Sequence, residues 1–433
     1  MDETHRSGYS LHTKILIGFV VGAIAGIVCY QLARTGTVDS RHLDGFIDNV
    51  TAPLGRIFLN LLFMVVVPIV FCSIALGVSQ LGAGEKLGRL SARTFGVFVT
   101  TSAAASVLGL LLATVIAPGR GFDPTDQASL IDQYRDEAQQ KLRLAEGERF
   151  WPDVVVGIIS RNPLRDAVEL NMLPIIFAAG LFGFALSRIP AEKAAPVNDV
   201  MEGVASATVV IVGLAMRLAP FAVPALIFNV TARFGWQIFE QLSLFVIVVL
   251  TGYIAQLFGA NAVFVRLCAG VSPRLFFRKM SPVMLTALST SSSSATLPTT
   301  IKVAEEELGI GRRIAGFVLP LGATMNMHGT ALFVTVVVVF LAQVFGVTLG
   351  FQQQVILVVF AVLTAVGAAG VPSGSLPIII VVLMHFGIPG EALALVLGVE
   401  RILDMGRTVV NVTGDAAAAC YVARSEGAAL RTS

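Results

Sequence analysis

An all-α polytopic membrane protein, with about eight spanning helices and two re-entrant helical hairpins, is the fold that three features of this sequence predict. The first is composition: apolar residues make up 55% of the chain and charged residues 13%, with a mean hydropathy of +0.81, whereas a soluble domain carries about 25% charge. The second is a pair of apolar stretches, 275–300 and 352–387, interrupted midway by SSSSATLP and GAAGVPSGSLP. A straight spanning helix does not tolerate such runs of serine, glycine and proline at its centre, whereas a helix that dips into the bilayer and returns needs them at its tip. The third is a last apolar run, 392–423, that carries Glu400, Asp404, Arg407, Asn411 and Asp415.

In chain order, apolar runs of roughly 20 residues or more place spans near 12–33, 50–81, 89–117, 172–188, 203–231, 236–268, 313–346 and 392–423. The first, Leu11 to Ala33, is longer than a signal-peptide core and no small-x-small cleavage pattern follows it, so a retained helix is expected. Loop 82–93 carries Lys86, Arg89 and Arg93 against Glu85, and Arg274, Arg278 and Lys279 lead into the first hairpin. The positive-inside rule puts both in the cytoplasm. Gly119 to Asp153 is acidic on balance and is expected outside, its charge-alternating stretch 132–150 being a solvated connector or a short surface helix. Both termini then fall in the cytoplasm of an inner (plasma) membrane, which agrees with Arg6 and Lys14 at one end and Arg424 and Arg431 at the other. Trp151 and Trp236 sit at span entrances, where amphipathic aromatics anchor. A net charge of +2 with scattered basic residues gives no sign of a nucleic-acid partner. Cys29, Cys72, Cys268 and Cys420 lack CxxC spacing and read as core hydrophobes.

The polar side chains of the last run share one helix stripe. At about 100° per residue, Glu400, Asp404, Arg407, Asn411 and Asp415 fall within an arc of roughly 80°, with Thr408 at its edge. Charge at membrane depth normally faces a bundle interior or an aqueous site, so the stripe reads as a binding surface for something charged. Arg407 and Asp404 form either an internal ion pair or a template for an amino acid with an acidic side chain, since a guanidinium matches a carboxylate bidentately and a carboxylate takes an ammonium. The serine tip, Ser291 to Ser294, aims helix ends at a gap, an anion site, or else caps two half-helices. In 322-GATMN-326 a broken helix frees carbonyls and Asp415 adds a carboxylate, which are hard oxygen ligands for an alkali cation, unless Asn326 only mends the break. The second tip, 366-VGAAGVPSGSLP-377, fits a gate: glycines permit hinge motion and Pro372 and Pro377 stop helix. A static re-entrant loop is the alternative.

Together, SSSSATLP, N-M-x-G-T at 326–330 and D-x-x-R-T-x-x-N-x-x-G-D at 404–415 resemble the glutamate/aspartate transporter family, the dicarboxylate/amino acid:cation symporters, over essentially the whole chain. The resemblance implies symport of aspartate or glutamate by an elevator-like alternating-access mechanism, in a homotrimer, with H+ and/or Na+ as coupling ions and no other cofactor. It places Ser292, Ser293 and Ser294 at the substrate's α-carboxylate, Arg407 at the side-chain carboxylate and Asp404 at the amino group. Thr330, Thr408 and Asn411, with Gly370, Val371 and Pro372 of the second tip, would make the remaining contacts. One sodium site would use Gly322, Asn326, Asn411 and Asp415, and another Thr324 and Met327 with carbonyls around Ala365, Val366 and Ala368. The implied division is a scaffold of residues 1–87 and 119–235, a transport domain of 88–118 and 236–424, and a cytoplasmic tail, 425–433.

Two departures from the family pattern bear on the chemistry. The arginine that members carry near the serine tip is missing: Ser291 stands at the tip position and Met405 at the alternative position on the last helix. Arg401, at the edge of the stripe, is the expected replacement. A third sodium site has lost its carboxylate to His328 and its phenol to Phe98, although Thr101, Ser102 and Asn326 remain, and the family's other proton-carrying position is Val334. Fewer coupled sodium ions are therefore expected, with His328 as the proton carrier, because imidazole is the side chain most easily tuned to titrate near neutrality. A serine hydrolase using the tip with His328 and Asp404 lacks the glycine pattern of a nucleophile elbow, and no enzyme activity is expected. A channel lined by the stripe would conduct without an amino acid. A C4-dicarboxylate symporter is the rival within the transporter class, but such a substrate leaves Asp404 without an ammonium.

Overall fold

Helices build the whole of the architecture, and no strand occurs among the described residues of this computed structural model, which are 11–37, 39–80, 85–120, 159, 161–169, 172–368, 370–428 and 430. Trp151, the stretch 132–150, Arg6 and Arg431 lie outside the described residues. Among the described residues, six helical stretches are long and apolar enough to cross a membrane: Thr13–Arg34, Arg41–Ser79, Leu90–Ile116, Ala191–Asn229, Leu242–Ala269 and Arg312–Val344. The last helix, Ala394–Ser425, is as long as these.

The first group of helices is α1 (Leu11–Arg34), α2 (Ser40–Phe46), α3 (Ala52–Met64) and α4 (Val66–Gln80), followed after α5 (Glu85–Ile116) by α6 (Pro163–Glu169), α7 (Met172–Leu186) and α8 (Ala191–Phe234). The expected span 50–81 falls within the stretch Arg41–Ser79, which is not one regular helix. A wide π turn, Ile47–Thr51, joins α2 to α3, and the helix breaks at Val65, one turn before Pro68, whose missing N–H leaves the Met64 carbonyl without its helical donor. Conversely, the expected span 203–231 is the middle of a 44-residue helix that continues through Pro196, Pro220 and Pro224. Gly18, Gly22 and Gly26 of α1 face the stretch of α8 from Pro220 to Ala232. They bring α1 against α8 so closely that a Cβ on Gly18 would stand 2.9 Å from the Pro220 carbonyl, the one that Pro224 deprives of its donor. Val21 and Ile24 of α1 point outward, 59% and 57% exposed, as suits a lipid-facing or subunit-facing side.

The second group follows. α9 (Gln237–Ile254) runs on through two π turns, Ala255–Ala260 and Val265–Ala269, and stops at Gly270 in the left-handed region. The first interrupted stretch is a hairpin of α10 (Pro273–Thr290) and α11 (Ser293–Glu306), and the second pairs α14 (Phe351–Gly367) with α15 (Leu376–His385). Between them the seventh run is broken at Asn326 and Met327 into α12 (Arg312–Met325) and α13 (His328–Val344), as the GATMN reading anticipates. The chain ends on α16 (Ala394–Ser425). Every residue of α13 but Gln343 is buried, because α5, α9, α14 and α16 surround it. A helix apolar all round belongs at such a centre. α1, α3, α4, α7 and α8 pack mainly on one another, and α5 and α9 to α16 on one another.

Candidate functional site

Two hairpin tips and the midpoint of α16 meet at one place. At the first tip, Ser291 takes a left-handed backbone (φ +51°), and Ser292 caps α11, its Oγ accepting from the Ala295 N–H at 3.1 Å. The Ser292 hydroxyl donates to the Gly370 carbonyl at 2.7 Å, and the Ser294 N–H donates to the same oxygen at 3.1 Å. A Cβ on Gly370 would stand 2.6 Å from the Ala323 carbonyl and 2.7 Å from Ser294 Oγ, so the missing side chain is what lets the tips touch.

On α16 the stripe is a hydrogen-bonded ion cluster, with Glu400, Arg401, Asp404 and Arg407 between 2% and 7% exposed. Arg407 donates from Nε to Asp404 Oδ1 at 3.0 Å and from Nη2 to the same oxygen and to Glu400 Oε1, the latter at 3.3 Å. Its Nη1 donates to Ser375 Oγ at 2.6 Å, and its guanidinium lies 4.9 Å from the centre of the Phe333 ring. Asp404 Oδ2 accepts from Arg401 Nη1 at 3.1 Å and from the backbone N–H of Ser373 at 3.0 Å. Ser373, left-handed at φ +57°, also donates its hydroxyl to Glu400 Oε2 at 3.0 Å. Left-handed backbone in a residue other than glycine is strained, and here the two bonds to stripe carboxylates hold it.

Ser293, Thr330, Gly370, Val371, Asp404, Arg407, Thr408 and Asn411 line a cavity of about 10 Å³, completed by Ser291, Met327, Ala368 and Ser375. That space is about the size needed for one water. The start of α11 faces it, and Ser291 Oγ is buried with no partner among the described residues. Ser292 and Ser294 are engaged in the contact between tips, Pro372 lies outside the lining, and Arg401 meets Asp404 from behind it. Ser373, Ser375 and Glu400 carry no assignment from the sequence. The signal for the serines was the polar SGS between Pro372 and Pro377, and for Glu400 its place on the stripe.

The residues assigned to cations gather below the ion cluster. Asn326 Nδ2 donates to Asp415 Oδ1 at 3.0 Å, Asp415 packs against Gly322, and Thr101 Oγ1 donates to Asn326 Oδ1 at 3.2 Å. Asn411 ties this region to α13, its Oδ1 accepting from the Gly329 N–H at 2.8 Å and its Nδ2 donating to Thr330 Oγ1 at 3.3 Å. The Met327 N–H donates to the Ala365 carbonyl at 3.3 Å, bringing two members of the other set together, with Val366 next along α14 and Ala368 at its end. The side chain of Thr324 turns away and donates to the Leu321 carbonyl at 3.0 Å. His328 is fully buried, its Nδ1 3.4 Å from the Asn326 carbonyl and its Nε2 3.5 Å from Asn261 Nδ2, with Gly414 making room for the ring. Asn261 starts the helical turn between the two π turns and accepts from Gln256 Nε2 at 3.3 Å.

Residues 11–425 match the sodium:dicarboxylate symporter family. The chain is 35% identical over 425 residues to a proton/sodium-glutamate symport protein of Bacillus subtilis (strain 168), covering 98% of this chain and 94% of the relative. It is 34% identical to a proton/glutamate-aspartate symporter of Escherichia coli (strain K12), covering 96% and 93%. It is 29% identical to a C4-dicarboxylate transport protein of Bacillus subtilis, covering 96% and 94%. With that match spanning the hairpins, the broken seventh run and the charged stripe, this multi-pass membrane protein belongs to the sodium:dicarboxylate symporter family.

Proposed function

We propose that this chain is a secondary symporter of aspartate or glutamate, driven by H+ and/or Na+. The observation that carries the reading is the buried Arg407–Asp404 pair at a cavity also lined by Ser291 and Ser293 at the serine-rich start of α11. A guanidinium for one carboxylate, a helix N-terminus with the Ser291 and Ser293 hydroxyls for the other, and Asp404 for the ammonium match the three charges of an acidic amino acid. Thr330, Thr408 and Asn411 supply polar contacts beside them. A cavity of about 10 Å³ does not hold such a substrate, so the tip around Gly370, Val371 and Pro372 swings aside to admit it and closes again, as a gate does.

Gly322, Asn326, Asn411 and Asp415 form one sodium site in this reading, and Met327, Thr324 and the end of α14 from Ala365 to Ala368 another, with Thr324 rotating inward on binding. His328 carries a proton where a carboxylate would serve a third sodium ion. Arg401 takes over the charge of the missing tip arginine by holding Asp404. The two helix groups support a division into a scaffold, which forms a homotrimer, and a transport domain that moves as an elevator. Both termini face the cytoplasm of the plasma membrane, a placement the loop charges support.

Uptake of labelled aspartate into proteoliposomes under separately imposed sodium and proton gradients tests the reading. Accumulation under a proton gradient without sodium is expected, and its loss in His328→Ala. Transport that demands sodium, ignores pH between about 5.5 and 8 and survives His328→Ala makes the histidine a core residue. Accumulation of succinate in preference to aspartate would favour the dicarboxylate reading, for which the 29% identical relative stands.

A further inference from the structure

Glu400 has no part in the binding mode just described, yet it sits at the heart of the ion cluster, 2% exposed. Its claim on a counter-charge is weak: one contact of 3.3 Å from Arg407 Nη2, whereas Arg407 grips Asp404 with both Nε and Nη2. The other Glu400 oxygen accepts from the Ser373 hydroxyl at the gate tip. The charged groups around it on its own helix are Arg407, Asp404 and Arg401; from α9 the buried Tyr253 ring packs against Gly406, and from α1 the Phe19 ring packs against Gly398.

The charges of this cluster balance as it stands, Arg401 and Arg407 against Asp404 and Glu400. An aspartate or glutamate brings one ammonium and two carboxylates, so its arrival leaves one excess negative charge in a buried site. Its side-chain carboxylate also takes the Arg407 fork, Nη2 included, which removes the hydrogen-bonded counter-charge of Glu400, leaves it only the weaker attraction of Arg401 and sets a second carboxylate beside it. A buried carboxylate without a counter-charge is more cheaply held as the neutral acid.

Resting on the acidic-substrate reading above, we propose that Glu400 is a proton-coupling carboxylate: it binds one proton from the entry side as the substrate displaces it from Arg407, and releases that proton to the exit side as the substrate leaves. The proton forms an O–H bond at Oε1, the oxygen that loses Arg407, while Oε2 keeps accepting from Ser373. One proton per acidic substrate restores the cluster to zero net charge. The coupling is separate from His328, whose ring lies beside Gly414, about 20 Å further along α16 at 1.5 Å per residue.

The test uses purified full-length protein at constant sodium and measures aspartate affinity between about pH 5.5 and 8 together with proton uptake in weak buffer on aspartate addition. Linkage to one proton predicts that wild-type affinity weakens by up to about tenfold per pH unit on the alkaline side. In Glu400→Gln, aspartate still binds, and slope and uptake both fall by the one proton attributable to this site, while Glu400→Asp retains both. An infrared difference spectrum of the wild type gains a carboxylic-acid C=O band on aspartate addition, shifted in Glu400→Asp; this reads the same event if Glu400→Gln does not fold. Slope and uptake undiminished in Glu400→Gln, or a wild type that binds aspartate with no such band, overturn the inference alone. A wild type that binds no acidic amino acid overturns the inference and the acidic-substrate reading together.

Discussion

Arg407 has its guanidinium engaged on every side, by Asp404, Glu400 and Ser375 and by the Phe333 ring below. An arriving carboxylate therefore competes with carboxylates already present, and binding is an exchange of partners rather than the filling of an unoccupied charge. Breaking a desolvated charge-assisted pair costs about 2 kcal/mol or more, which is over tenfold in affinity. Arg407→Cys is accordingly expected to lose aspartate and glutamate binding by more than tenfold in calorimetric titration. Unchanged affinity in that variant would sink the assignment. Asp404→Asn is the companion measurement: it removes the ammonium's counter-charge, so it weakens aspartate much more than succinate, and equal losses would mark Asp404 as a structural partner of Arg407 only. The stripe was legible because helical periodicity is local. The partners of that stripe on the gate, Ser373 and Ser375, were not, because their contact depends on where a loop some thirty positions away comes to rest.

At the scale of elements, close approach of helices rests on single glycines. Gly18, Gly22 and Gly26 recur every four residues along one face of α1, and a Cβ on Gly22 would stand 2.7 Å from Ile227 Cγ2 and 2.8 Å from Pro224 Cα. Backbone does not yield as a flexible side chain does, so Gly22→Ala is expected to destabilise by about 1–3 kcal/mol through overpacking. Gly213→Ala, on α8 where nothing lies within 4 Å, is the control and keeps or slightly raises the melting temperature. Equal melting of the two variants by differential scanning fluorimetry would show that the α1–α8 contact is loose. The hairpins were readable because prolines and serines interrupt apolar runs. The split at Val65 and the length of α8 were not, since a proline ends a helix or is absorbed by it according to what its freed carbonyl meets.

For the whole molecule, two helix groups meet where α4 crosses α12 and α14. A Cβ on Gly77 would touch Met325, and one on Gly367 would stand 3.2 Å from Ile74 Cγ1. If transport slides one group past the other, a covalent link across this seam stops it. In protein with its four native cysteines replaced, Ile74→Cys with Gly367→Cys is expected to lose uptake on oxidative or mercuric cross-linking and to regain it with reductant. Uptake that continues at full rate with the cross-link complete would rule out sliding at this seam.

From the sequence alone, hydropathy and charge determined a helical membrane protein, the interruptions determined two hairpins and a broken seventh run, and helical periodicity determined that Glu400, Asp404, Arg407, Asn411 and Asp415 share a stripe. Each of these is a property of contiguous residues. What only the tertiary structure decided is how distant segments share their polar groups. It turned Ser292 into the cap and latch between two tips, set Arg401 behind Asp404, brought Asn261, which lies between two π turns, to His328, and closed Ser373 onto Glu400. In a low-dielectric interior each donor and acceptor must find a partner, and which partner it finds is set by packing across the bundle, a relation that no local pattern encodes.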